Sequence, residues 1–383
     1  MKRTPRLLTV MIICLLGVIA YLPWRTNGSG TMPSSLKAVD ETDSNPAVNE
    51  PDKFAWTLFV ELNKPATAGS KDRVWERWAS DDDVYGNPNR TPIWPGSGGG
   101  LQQQPRPKTL RPITQLEIAA EESQRQRPGR RRQRGLFFPA QGVGQEVRMN
   151  RDSFDFIVQN NLWYIEGQEA TFAQGIRISF PPDAKEIKAV WRPITEAEKP
   201  RFHWQINPAD NKAYGLIALH IITKDLPNWT WATFEQVDNP ERCKAVKCRD
   251  NFGVNADDSL SAPLLQMMRD AGLGNEWESY RLVGTQVDFT DSTGRVTTLG
   301  NSIIEDGFVT SSSCITCHAR ATIGQRVAAR ANRLSVFKST NPLLSDNGTP
   351  DPRWYFTDPI KPETMKYLQL DFVWSVLRAR RRS

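Results

Sequence analysis

Cys314, Ile315, Thr316, Cys317 and His318 place two thiols and an imidazole within five positions of a 383-residue chain that holds five cysteines and three histidines in all. On one turn of helix, residues at i, i+3 and i+4 share a face. Two thiols on that face can bond to the vinyl groups of one haem while the imidazole behind them ligates its iron. Ser311, Ser312 and Ser313 stand directly ahead, where a hydroxyl can cap the turn.

The redox compartment bears on this reading. Lys2, Arg3 and Arg6 precede "LLTVMIICLLGVIAYL", Leu7 to Leu22, so residues 1–23 read as a signal peptide or an N-terminal membrane anchor. Sixteen residues is short of the about 20 that span a bilayer and longer than many cleaved cores, so both outcomes stay open. Cys14 lies inside this run without the small residue before it that a lipoprotein site requires. In both cases the basic residues stay inside. The expected location is the periplasm, or the periplasmic face of the inner membrane if the segment is retained. Disulfides persist there, and Cys243 and Cys248, flanking "KAVK", are expected to close a small disulfide loop.

Two rivals share the thiols. Cys243, Cys248, Cys314 and Cys317 together could hold zinc as four thiolates, although export favours oxidation of the first pair. A thioredoxin-type redox pair expects a βαβ context, which is absent around Cys314. No Ser-His-Asp set, phosphate loop or HExxH motif offers a competing chemistry.

The group facing His318 across an iron decides between functions. His220, inside the apolar run "YGLIALHIIT", and Met365, near the C-terminus, are the candidate second ligands; Met267, Met268 and His203 are weaker ones. A buried His is commonly a hydrogen-bonded core residue, and each Met also fits plain packing. A strong second ligand implies electron transfer, whereas an open position implies a haem oxidoreductase or a protein binding peroxide or nitric oxide.

Formal charge is +6, but six arginines, Arg125, Arg127, Arg130, Arg131, Arg132 and Arg134, lie in one acid-free stretch. The charge is local, which speaks against nucleic acid as a partner and for a solvated loop; a docking patch for anionic lipid or an acidic redox partner is the minority reading.

Residues 24–52 are polar and read as a linker, and 53–383 as one α+β haem-binding domain. Within it, 99–135 form a Pro/Arg-rich surface insert and 301–383 the haem-attachment part. "FAWTLFVELN" and "VWERWA" are expected as short helices, and "IRISF" with "IKAVW" as a hairpin that puts Ile187, Ala189 and Trp191 on one face. "YGLIALHIIT" should be a central covered strand, followed by "TWATFEQV". "SAPLLQMMRDAGL" predicts a helix capped by Ser261 and stopped by Gly272, and "RLVGTQVDFT" with "RVTTLGN" a second hairpin. Met365, Leu368, Phe372 and Val376 predict a C-terminal helix. The fold class is therefore α+β: a mixed, largely antiparallel sheet core with packed helices, a loop-borne c-type haem site and a C-terminal helix.

The blocks "FAWTLFVELNKPA", "VWERWASDDDVY", "IKAVWRPIT", "GLIALHIITKDLPNWTWATFEQVDN" and "SSSCITCHARA" resemble exported bacterial proteins grouped as cytochrome c family proteins. The resemblance runs from about Phe54 to the C-terminal "DFVWSVL". It implies one covalent haem c on Cys314 and Cys317 with His318 as axial ligand, and a periplasmic or membrane redox partner; it also favours His220, which lies in a shared block. Small soluble cytochromes place a helix just before the motif, whereas "LGNSIIEDGFVTSSS" reads as strand and loop.

Overall fold

The computed structural model describes residues 45–96, 111–112, 144–208, 210–306, 308–327, 331–336 and 343–383. Residues 1–44, which include the expected signal peptide or anchor and most of the expected linker, and nearly all of the expected Pro/Arg-rich insert lie outside the described residues.

The folded part starts earlier than residue 53. Asn45 accepts a hydrogen bond from Ala47 N at 2.9 Å and caps α1 (Pro46–Asn49), and a second proline opens α2 (Pro51–Leu62). Asp52, expected in the linker, is buried and accepts from Asn251 N and Thr285 Oγ1 at 2.9 and 2.8 Å. "VWERWA" forms a 3₁₀ turn, Val74–Arg77, rather than an α-helix. Then follow β1 (Ala79–Ser80), α3 (Asp81–Tyr85), β2 (Arg111–Pro112), β3 (Gly144–Met149), α4 (Arg151–Gln159) and α5 (Ile165–Ala173).

The strands β4 (Lys185–Pro193), β5 (Trp204–Asn207), β6 (Lys212–Thr223) and β7 (Thr230–Gln236) lead to α6 (Ala262–Asp270) and β8 (Tyr280–Gln286). The large sheet runs β1, β3, β4, β6, β7, β8, with β2 also on β3 and β5 also on β6, and every pairing is antiparallel. The class is α+β. β6 is central and buried from Tyr214 to Thr223, as its two-sided apolar run requires. Ser261 caps α6 by accepting from Leu264 N, and Gly272 at φ 70° closes it.

A strand alternates faces, so β4, β6 and β7 feed two cores. Ile187, Ala189, Leu219, Ile221 and Phe234 pack with α2 and α6 on one side. Ile222 and Trp231 face the other side, where α7 (Cys314–His318) packs. A two-stranded sheet, β9 (Thr322–Gly324) with β10 (Tyr367–Gln369), follows α7.

Three expected elements differ. "IRISF" is not a strand: β4 already has β3 and β6 on its two edges, which leaves no ladder to join, although Ile178 and Phe180 are buried. "RVTTLGN" makes only isolated bridges, Thr290 with Val296 and Leu299 with Ser313. The C-terminal helix is replaced by a 3₁₀ turn (Pro362–Thr364), β10, and a second 3₁₀ turn (Ser375–Arg378). Leu368 pairs with Ile323, and Asp371 and Phe372 stand at φ 49° and 66°, which no right-handed helix admits.

Candidate functional site

Ser313 starts α7: its hydroxyl accepts from Thr316 N, and Thr316 Oγ1 donates to Gly348 O at 2.7 Å. Gln286, the last residue of β8, clamps this start to the sheet. Its Nε2 donates to Ser313 Oγ at 2.9 Å and Thr297 Oγ1 at 2.7 Å, while its Oε1 accepts from Ile315 N at 3.1 Å. One amide side chain thus satisfies the otherwise orphaned donor of Ile315.

Cys314 and Cys317 are unpaired, with Cys314 buried and Cys317 half-buried. Cys314 Sγ points at Leu299 O, 3.5 Å away, and Cys317 Sγ at Asp346 O, 3.8 Å away. Burial pushes the Cys317 thiol up to about 11 and that of Cys314 well above its usual range. Redox-exchange cysteines need the opposite, a stabilised thiolate. Cys243 and Cys248 are joined by a disulfide, so they offer no thiolates to a zinc shared with Cys314 and Cys317.

His318 Nδ1 lies 2.8 Å from Phe372 O and donates to it, which leaves Nε2 as the lone-pair nitrogen. Nε2 has no partner among the described residues. Burial pushes this imidazole down to about 3, so it is neutral, as a metal ligand must be. Trp374 stacks on its face, with centroids 4.5 Å apart and planes 10° apart, and also donates from Nε1 to Cys317 O at 3.2 Å. Trp231 meets it edge-on at 4.5 Å.

The carbonyl of Phe372 is aimed by a strained pair of left-handed residues. Asp371 accepts from Lys224 Nζ at 2.6 Å and from Phe180 N at 2.7 Å, and Lys224 also donates to Pro227 O. These bonds hold non-glycine residues in a backbone region they otherwise avoid. On the other flank Arg320, fully buried, donates to the carbonyls of Val336 and Ser345 and pairs with Asp346 at 3.1 Å.

The other sequence candidates separate by face. His203 packs in the opposite core, its Nε2 2.9 Å from Glu76 Oε1 and its ring stacked on Trp277. Met267 and Met268 belong to that same opposite core. Met365 ends a 3₁₀ turn and packs, half-buried, against the core that contains Cys314. His220 lies on the motif side of the sheet, on the face that carries Ile222 and Trp231. Its register partners are Lys188 and Thr233.

Sequence reasoning missed Lys188, Glu305, Gln286, Trp374 and the Phe372 carbonyl. Only Lys188 was signalled: with Ile187, Ala189 and Trp191 on one face of β4, Lys188 had to point to the other. Burial pushes its ammonium down and pushes the Glu305 carboxyl up to about 7, against the pull of each on the other.

Comparison of the chain with family models, curated proteins and solved structures returns no match. Among the described residues no helix is long and apolar enough to cross a membrane, and no group of three or more His, Cys, Asp or Glu side chains forms a metal cage. The fold and site define an α+β protein with a single CxxCH turn docked on the covered face of an antiparallel sheet. Two free thiols and a neutral imidazole with Nδ1 committed are the donor set that thioether attachment and axial ligation of haem require.

Proposed function

We propose that this chain is an exported mono-haem c-type cytochrome, akin to the cytochrome c family proteins it resembles. It holds one haem c through Cys314 and Cys317, with His318 on the iron, and exchanges single electrons with a periplasmic or membrane redox partner. The observation that carries the reading is the contrast within one chain: Cys243 and Cys248 are oxidised to a disulfide, while Cys314 and Cys317 stay as thiols beside His318, whose Nδ1 is committed to Phe372 O.

A haem bound there would supply a one-electron iron couple. The chain's own residues keep the imidazole neutral, fix which nitrogen faces outward and pack Trp231 and Trp374 against it. Rigid surroundings of this kind favour electron transfer, because little needs to reorganise. Lys188, without a hydrogen bond or ion pair among the described residues, is the feature that favours the second reading, a haem oxidoreductase or binder of peroxide or nitric oxide.

Secretion from a host able to mature c-type cytochromes, followed by denaturing electrophoresis and haem staining, tests this. A stained band is expected, and Cys314→Ser with Cys317→Ser should abolish it. A colourless protein holding one zinc per chain contradicts the reading.

A further inference from the structure

We propose that His220 supplies the second protein nitrogen to the iron that His318 binds, with Glu305 orienting its ring. The inference rests on the haem reading above and goes beyond it by naming the ligand that separates an electron carrier from a small-molecule binder.

Register carries the first step. In β6, His220 lies opposite Lys188 of β4 and Thr233 of β7, two positions from the Ile222 and Trp231 pair. Ile222 and Trp231 share a core with Cys314 and Ile315, and the Trp231 ring touches His318. The period of two therefore turns His220 toward the layer that carries the motif.

The second step is an unmet bonding need. His220 is 9% exposed, and its Nε2, shielded from solvent, makes no hydrogen bond among the described residues. Buried polar groups in folded proteins are nearly always paired, so a ring nitrogen left without a hydrogen bond marks a place where something else binds. His203 shows the contrast: also buried, it is satisfied by Glu76 and stacked on Trp277.

Glu305 supplies the third step. Its Oε2 lies 3.6 Å from His220 Nε2 and is itself fixed by Asn301 N at 2.7 Å. A ligating histidine generally presents its second ring nitrogen to a carboxylate or carbonyl, which sets the tautomer and the ring orientation. His318 shows such an arrangement, with Nδ1 on a carbonyl and Nε2 free. Met365, the competing candidate, has its packing explained by the neighbouring core.

The experiment uses the full-length haem-loaded protein and reads its spectrum rather than any activity. The wild type should show a ferrous spectrum unchanged by carbon monoxide, and a near-infrared magnetic circular dichroism band of the bis-histidine kind. His220→Ala should keep the haem-stained band but bind carbon monoxide, and added imidazole should restore the wild-type spectrum. Met365→Ala should behave as wild type. Rescue by imidazole separates ligation from a structural role, and the wild-type dichroism answers the question if the variant does not fold. A stained wild type that binds carbon monoxide, or a His220→Ala protein with an unchanged spectrum, overturns the assignment while leaving covalent haem standing. A colourless wild type overturns both.

Discussion

Lys224 Nζ lies 2.6 Å from Asp371 Oδ1, and each side chain is 8% exposed. The pair spans 147 residues and holds in place the Phe372 carbonyl that meets His318. Removing one partner of a buried ion pair leaves the other charge stranded, at a cost of about 3–5 kcal/mol. Asp371→Asn should therefore lower the unfolding free energy obtained from urea denaturation by an amount in that range and shift the ferrous spectrum. Lys224→Met with Asp371→Leu should recover most of the stability but not the spectrum. Equal recovery of both would show that the pair serves packing alone.

Gln286 joins the sheet to the motif. Gln286→Leu strips Ile315 N of its acceptor and Ser313 Oγ of a donor, a loss of about 1–3 kcal/mol for each buried group left unpaired. Gln286→Glu keeps an acceptor for Ile315 N and should fall between. Urea denaturation checks the stability order, and the haem-stained fraction of secreted protein should follow it. A Gln286→Leu protein as stable and as fully stained as wild type would show that the clamp is dispensable.

Much of the sheet was legible because β6 must satisfy two apolar faces at once, which only a central strand does. The motif turn was legible from spacing, and Ser313 is the cap among the three serines. The C-terminus was not. Met365, Leu368, Phe372 and Val376 fit a helical stripe, yet Leu368 and Leu370 are equally an alternating strand, and the partner β9 is invisible to local periodicity. The sites of Glu305 and of the Phe372 carbonyl depend on contacts across 54 to 85 positions, which no window along the chain contains.

Glu186 offers a pH test on the motif side of β4. Burial pushes its carboxyl up from 4.5 to about 8, the bond from Ser375 Oγ at 2.6 Å pulls it down, and Asp81 pushes it further up. Between those values the folded protein holds a proton that the unfolded chain has released. Its contribution is thus fully present below pH 4.5 and is lost as pH rises through 8. Glu186→Gln keeps an acceptor for Ser375 and removes the titration. Compared at pH 5 and pH 8, the variant should gain on the wild type by about 2–4 kcal/mol. Urea midpoints that move in parallel for both proteins would contradict this.

A porphyrin bonded to Cys314 and Cys317 is what the proposed function requires, and intact mass weighs that bond directly. Protein secreted by a host competent in cytochrome c maturation should be heavier than its polypeptide by one haem, with the increment carried on the peptide containing Cys314, Cys317 and His318. An intact mass equal to the bare polypeptide, with both thiols free to alkylation, would contradict the account.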